Sequence, residues 1–372
     1  MSSIRFIVNT GKKVSDFFAN DLQNHYYKHL FLNNAKRIIG SKSFPRDKEF
    51  EKESKLYWKE MTNIEIDPIW HSFYSYCNGI KDVRYVPENL YYAYIEPYYN
   101  KKQFSQCCDD KCYYSERFPD HVLLGKGERP TTILRNISGL FYDSDFNILS
   151  RDKAIQLLAE EDSGYVIKES ITGTGGNRLL FVDAGQRKSI NEIGTFFDNY
   201  SQNFVVEGLI TQCKELEVLN STSINTIRFI TYMDERGVHV LSSVFRIGGK
   251  NSRTDNFSTG GIACGIDEKG DLKQVGYNQK FERYNGIHPN GTRFANHTVP
   301  RYAEAKELVT ILHHRFGHFR IISWDIAISE DYKPVIIEFN LTPQSIDFHQ
   351  INNGPLFGYL TEKILEEVFA RQ

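Results

Sequence analysis

Alternation of apolar and polar positions is sharpest over residues 320–340, RIISWDIAISEDYKPVIIEFN. Two runs rich in Ile and Val flank the polar segment 329–333, which predicts a β-hairpin without the Asn-Gly of the tightest turns. On the first strand Ile322, Trp324, Ile326 and Ile328 share one face, leaving Ser323, Asp325 and Ala327 on the other. On the second, Val335, Ile337 and Phe339 lie opposite Ile336, Glu338 and Asn340. With the turn centred between Asp331 and Tyr332, Asp325 sits directly across from Glu338, one pleat from Asn340. Two carboxylates and an amide then converge at Cβ separations of roughly 5 Å. Like charges so placed destabilise a sheet, and a hard divalent cation held by oxygen ligands removes the cost. Each acid taken alone reads more readily as a solvated strand residue; the three together favour the cation site.

Elsewhere the pattern is mixed. Residues 1–84 read as helices: Phe17, Phe18, Leu22, Tyr26, Leu30 and Phe31 recur near helical spacing, and Leu56, Trp58 and Met61 predict a further helix. Tyrosines crowd residues 85–98 around two prolines, a packing stripe more than a stacking platform. Gly, Pro and Asp over 119–147 predict loops with short extended pieces. From Ser150, a helix N-cap, the texture turns α/β. Strands are expected at 165–169, 178–182 and 204–207, with a helix between the last two opened by the capping box Ser189–Glu192. Longer strands follow at 225–232 and 238–247, then a glycine-containing loop, a helix at 303–316 with Leu308, Ile311 and Leu312 inward, the hairpin, and a C-terminal amphipathic helix. No internal repeat is visible.

The chain has 372 residues, enough for two or three domains. Its net charge of −2 gives no global footprint for nucleic acid, so no nucleic-acid partner is expected. No apolar run approaches a signal peptide or membrane span, and a cytoplasmic protein is expected. Six cysteines make no disulfide scaffold. Cys107, Cys108 and Cys112 cluster without a second pair to complete a zinc site, and His25/His29 and His314/His318 lie away from them.

The turn Gly173-Thr174-Gly175-Gly176 joins two strands, so it is neither a P-loop nor a dinucleotide fingerprint, both of which need a helix behind the glycines. It reads as a flap whose backbone N–H groups can close over phosphates, with Lys168 just ahead of it. Lys168, this turn, Glu207, Asp325 and Glu338-x-Asn340 follow the order of the ATP-grasp superfamily, and the chain resembles its sugar-transfer-associated branch over roughly residues 85–345. Further carriers of the resemblance are Tyr94-Ile95-Glu96-Pro97, Asp110-Lys111, Gln212, Ser223-Ile224-Asn225-Thr226-Ile227-Arg228, Asp255-Asn256 with Gly260-Gly261, and Trp324-Asp325. Cys112 departs from the Asn common after the Asp-Lys pair.

The resemblance implies an α+β ATP-grasp fold, two subdomains sandwiching ATP, behind a mainly helical N-terminal region. The implied boundaries are 1–120, 121–207 for the lid and 208–372 for the core. It assigns Lys111 and Lys168 to the α- and β-phosphates, with Gly173, Thr174, Gly175 and Gly176 above them. Glu207, Gly208 and Leu209 line the adenine, Glu215 takes the ribose, and Asn225 joins the nucleotide site. Asp325, Glu338 and Asn340 hold two Mg2+ ions, with Mn2+ as an alternative. Arg228 and Arg246, with Lys168, stabilise the transferring phosphoryl group. The implied activity is ATP-dependent carboxylate–amine ligation through an acyl phosphate, in surface or capsular polysaccharide biosynthesis. A phosphotransferase acting on a sugar hydroxyl and a non-catalytic nucleotide-binding scaffold remain the alternatives.

Overall fold

A computed structural model describes residues 29–370, apart from 31, 35, 106, 107 and 172–177. Phe17, Phe18, Leu22, His25, Tyr26, Phe31, Cys107 and the turn Gly173, Thr174, Gly175, Gly176 therefore lie outside the described residues. The chain forms two compact units, one made of residues up to Lys101 with those from Thr342, the other Lys102–Leu341.

The first unit is helical. Helix α1 (Lys48–Thr62) starts where the Asp47 carboxylate accepts the free amides of Glu49 and Phe50, each at 3.1 Å. It stops at Asn63, which turns left-handed at φ 58°. Phe50, Ser54, Trp58 and Thr62 recur every fourth residue and form its buried stripe. The Trp58 indole donates to Val83 O at 2.9 Å. Helix α2 (Ile69–Asn78) ends on Gly79 at φ 77°. In the tyrosine-rich stretch a π-helical turn, Tyr91–Ile95, buries Tyr91 and Tyr92, so the stripe packs. Gln350, on the helix Asp347–Asn353, clamps Val86 by accepting from its amide (2.8 Å) and donating to its carbonyl (2.9 Å), and the expected C-terminal helix follows at Thr361–Phe369. Trp58→Ala removes the largest side chain on the α1 stripe and is expected to cost about 3–5 kcal/mol. The check is a melting curve followed by circular dichroism.

The second unit holds two antiparallel sheets. The smaller runs β3-β2-β1-β6-β4-β5, with strands β1 (Thr132–Ile137), β2 (Leu140–Tyr142), β3 (Ile148–Leu149), β4 (Tyr165–Glu169), β5 (Leu179–Val182) and β6 (Phe204–Gly208). Helices α3 (Arg151–Glu160) and α4 (Ile190–Tyr200) cover one face, burying Ile155, Leu158, Ile193 and Phe197 against Leu134, Ile167 and Val206. Ser150 caps α3, and the Ser189–Glu192 capping box opens α4 as expected. Residues 119–147, expected to be mostly loop, supply β1 in the interior of this sheet. There Arg135 and Asn136, both buried, interrupt the apolar alternation that would have advertised a strand.

The larger sheet runs β11-β10-β9-β8-β7-β12-β13: β7 (Thr226–Asp234), β8 (Gly237–Ile247), β9 (Ile262–Ile266), β10 (Leu272–Asn278), β11 (Arg283–Tyr284), β12 (Ile321–Ile328) and β13 (Pro334–Asn340). The region read as a glycine-containing loop thus holds three strands; β9, IACGI, is fully buried but short and small-sided. Helix α5 (Tyr302–His313) lays Leu308, Val309 and Leu312 on the core with Phe229, Phe316 and Trp324; Ile311, expected inward, is only half-buried and Val309 takes its place.

The hairpin forms, and Asp325 does pair with Glu338, but by a different route from an unbroken ladder. Tyr332 is left-handed at φ 57° and its amide bonds Ser329 O, so the turn centres on Asp331 and Ile328 meets Pro334. Ile326 then pairs with Ile336, and Ile337 is a bulge that restores the Asp325–Glu338 register. The two-residue period breaks there. Ile336 and Phe339 both enter the core, whereas Ile337 and Glu338 line a cleft.

Candidate functional site

Within the second unit lies a cavity of about 770 Å³, lined by residues of both sheets. On the smaller sheet, β4 pairs Val166 with Glu207 and Lys168 with Val205, setting Lys168 and Glu207 diagonally on one face. Lys168 Nζ meets Glu207 Oε2 at 2.5 Å, and both side chains are nearly buried. Lys111 comes from a separate 3₁₀ turn, Lys111–Tyr113. Asp110 starts that turn by accepting from Cys112 N at 2.9 Å, and Lys111 N donates to Ser170 O at 2.9 Å. Its ammonium reaches Glu338 Oε1 at 2.9 Å. Burial alone would pull this ammonium's pKa down, but Glu338 outweighs it and the value is raised.

On the larger sheet Arg228, Asp325 and Glu338 stand side by side across β7, β12 and β13. Arg228 Nε and Nη2 donate to the two Asp325 oxygens at 2.7 and 2.5 Å, the fork-on-fork geometry of a strong charge pair. Arg246 Nη1 adds a third bond to Asp325 Oδ2 at 2.9 Å. Its Nη2 reaches Asp255 Oδ1 at 3.0 Å and Asn256 Oδ1 at 2.9 Å. Asp255 also accepts the Thr226 hydroxyl. Burial works against ionised Asp325, but Arg228 and Arg246 prevail and hold it below the ordinary carboxylate range. Asp255 goes the other way: burial raises it despite Arg246. Burial also opposes the Arg228 cation, yet Asp325 drives its pKa above the usual guanidinium value.

The arginines and Lys111 change the argument about the acids. Facing carboxylates were expected to need a metal to relieve them; here the protein's own cations supply that relief. Among the described residues no group of three or more His, Cys, Asp and Glu side chains is poised to hold a metal ion. The donor chemistry nevertheless suits a hard cation, being oxygen-only. Asn340, two residues beyond Glu338 and opposite Ser323, has a buried amide nitrogen with no partner among the described residues. That nitrogen is a donor, so an acceptor such as a phosphate oxygen would satisfy it, whereas only the amide oxygen could meet a cation.

Other expected site residues divide. Gly208 and Leu209 line the cavity next to Glu207. Glu215 is instead exposed and accepts the Tyr332 hydroxyl at 2.9 Å, while Glu217 lines the cavity. Asn225 is buried; its amide nitrogen bonds Gln212 Oε1 (3.0 Å), Leu216 O (3.1 Å) and Asn220 O (3.0 Å), and its oxygen accepts from Gly248 N (3.3 Å). It therefore knits the 212–225 loop that forms part of the wall. Residues given no role from the sequence, Thr226, Asp255 and Asn256, turn out to complete the arginine network. Cys112 is buried, which pushes its thiol up to about 12, so it is neither a nucleophile nor a ready ligand.

A family model for sugar-transfer associated ATP-grasp proteins matches residues 91–364, nearly three-quarters of the sequence. The chain belongs to that family. With membership comes the fold: an α+β ATP-grasp, of the type found in ATP-dependent ligases, preceded by a helical region. Similar solved structures include the ATP-grasp ligase PsnB complexed with a minimal precursor (12% identity, 73% of this chain, 64% of that one, TM-score 0.41). Others are an ADP complex of N5-carboxyaminoimidazole ribonucleotide synthetase (10%, 64% and 45%, 0.38) and the VanG D-Ala:D-Ser ligase of Enterococcus faecalis (12%, 70% and 60%, 0.40). This ATP-grasp chain spans between about half and two-thirds of their lengths. No curated protein matches it. No described helix is long and apolar enough to cross a membrane.

Proposed function

We propose that this ATP-grasp protein is an ATP-dependent carboxylate–amine ligase. The observation that carries the reading is one cleft in which two nearly buried lysines, Lys168 on the small sheet and Lys111 on the 3₁₀ turn beside it, accompany an Arg–Asp–Arg cluster on the large sheet. Lys111 and Lys168 would exchange Glu338 and Glu207 for nucleotide phosphates, with Gly173 to Gly176 above them. Glu207, Gly208 and Leu209 would border the adenine. Glu217, the acid that lines the cleft, takes the ribose role in place of Glu215. Arg228 and Arg246 would meet charge that develops on the transferring phosphoryl group. Glu338 and Asn340, with the remaining lone pair of Asp325, would hold Mg2+, which when bound neutralises phosphate charge.

In the proposed reaction the acceptor carboxylate attacks the γ-phosphorus and ADP departs. An amine then attacks the acyl carbon, inorganic phosphate leaves, and the amine proton passes to solvent. No nucleophilic side chain is required, in keeping with a site built of Lys, Arg and acids. The small sheet, as lid, would keep water from the acyl phosphate. The family's sugar-transfer association points to a uronic acid or other sugar carboxylate, and to an amino acid or amine, in surface polysaccharide assembly. The test is ADP release from ATP with a panel of uronic acids, with and without amines, and hydroxylamine as trap. A hydroxamate, and an amide when the amine is present, is the expected product; phosphorylated sugar alone would establish a phosphotransferase instead.

A further inference from the structure

Arg135 is a buried cation that forms no ion pair with the acids of the cleft among the described residues, although Glu207 lies near enough to act on it electrostatically. It lies on β1 opposite Val205, which on its other side pairs with Lys168, so Arg135 and Lys168 occupy one row on the same face of the small sheet. Its side chain is fully buried, and no carboxylate pairs with it among the described residues. Burying a guanidinium that way is costly unless its donors are fully used. Nε donates to Cys112 O at 2.7 Å, Nη2 to Ser115 Oγ at 2.7 Å and Nη1 to Asp143 O at 2.5 Å. The guanidinium also covers the Phe146 ring, 4.1 Å from its centroid. Two of the three bonds go to the segment that begins with Lys111. That segment has its other fixings at Ser170 O and, through the Cys112 thiol, at Phe204 O, 3.5 Å away.

We infer that Arg135 is a positioning residue whose planar fork locks the Lys111 turn onto the small sheet, so that the Lys111 ammonium is aimed into the cleft before a nucleotide phosphate arrives. The inference rests on the proposed role of Lys111. It explains why an arginine, and not an apolar residue, occupies the interior of β1: a rigid five-donor fork can span Cys112, Ser115 and Asp143 at once, which a lysine's single ammonium cannot. Preorganising the cation spares the ordering cost at binding.

A double-mutant cycle on the full chain tests this, with Mg2+ and ADP as the titrated probe and calorimetry as the readout. Arg135→Lys is expected to weaken ADP by about 5–30-fold and Lys111→Ala by about 10–150-fold, each tenfold being about 1.4 kcal/mol. The double variant should match Lys111→Ala, because Arg135 acts only through that side chain. Ser115→Ala, which removes one bond and leaves Arg135 in place, should weaken ADP by about 2–5-fold and carries the test if Arg135→Lys does not fold. ADP affinity unchanged by the Arg135 and Ser115 substitutions, or reduced as much in the Lys111→Ala background as in the parent, overturns the inference. Unchanged affinity in Lys111→Ala itself would instead remove the nucleotide reading of Lys111, and this inference with it.

Discussion

Asp325→Asn is expected to lower ATP consumption by about 10²–10³-fold, the scale of losing one aimed electrostatic group in an active site. It should also destabilise the protein by about 3–5 kcal/mol, the cost of breaking a buried ion pair from one side. Both effects come from the same geometry. Asp325 receives three bonds from Arg228 and Arg246, all in a buried setting. Asparagine keeps the shape but leaves two guanidinium groups facing each other without an anion between them. The sign of the pH dependence follows. Because the folded pKa of Asp325 lies below its unfolded value, its stabilisation is present above the unfolded carboxylate pKa, about 4, and is lost as pH falls through the lower folded value. The stability gap between parent and Asp325→Asn should thus be constant from pH 6 to 8 and close below about pH 4. Urea unfolding across that range measures it, and a gap independent of acid would contradict the account.

Lys111→Ala should act on two ligands in opposite directions. Lys111 binds Glu338 at 2.9 Å with little solvent access. On the proposed role, removing the ammonium would take a charge-assisted bond from the phosphates, worth about 1.5–3 kcal/mol, or roughly 10–150-fold in ADP affinity. It also frees the Glu338 carboxylate to meet a cation. Mn2+ affinity without nucleotide, read from the loss of its free paramagnetic signal, should therefore rise. In the parent the cation should bind weakly until phosphate draws Lys111 away, and by reciprocity Mn2+ should tighten nucleotide. Weaker Mn2+ binding in the variant would mean that Lys111 supports the cation site.

How much of this was legible depends on where the period of the chain was clean. From Ile322 to Ile328 every second residue is a large apolar one, and that face entered the core as read. The Asp325–Glu338 pairing was also correct, although two offsetting departures produced it, a left-handed Tyr332 and the Ile337 bulge. Neither leaves a mark in a pattern of period two. Strand β1 was hidden because Arg135 and Asn136 stand where apolar residues belong, and β9 because Ala, Cys and Gly carry little strand signal. The acids and cations proposed for the site were both named from the sequence, but the pairing of Arg228 and Arg246 with Asp325 was not. Arg228 and Arg246 are about 80 to 97 positions from Asp325, and only strand order across β8-β7-β12 makes them neighbours. The choice between Glu215 and Glu217 likewise turns on a short helix, Lys214–Glu217, whose phase the sequence does not set.

The central claim is that adenine nucleotide sits in the cleft between the two sheets, with its base along Glu207, Gly208 and Leu209. Photolabelling the full chain with 8-azido-ATP and Mg2+, followed by peptide mapping, tests it most directly. The account predicts label within residues 204–212, suppressed by excess ATP and lost in Lys168→Ala. Saturable label confined to peptides from residues 48–101, with none at 204–212, would contradict it.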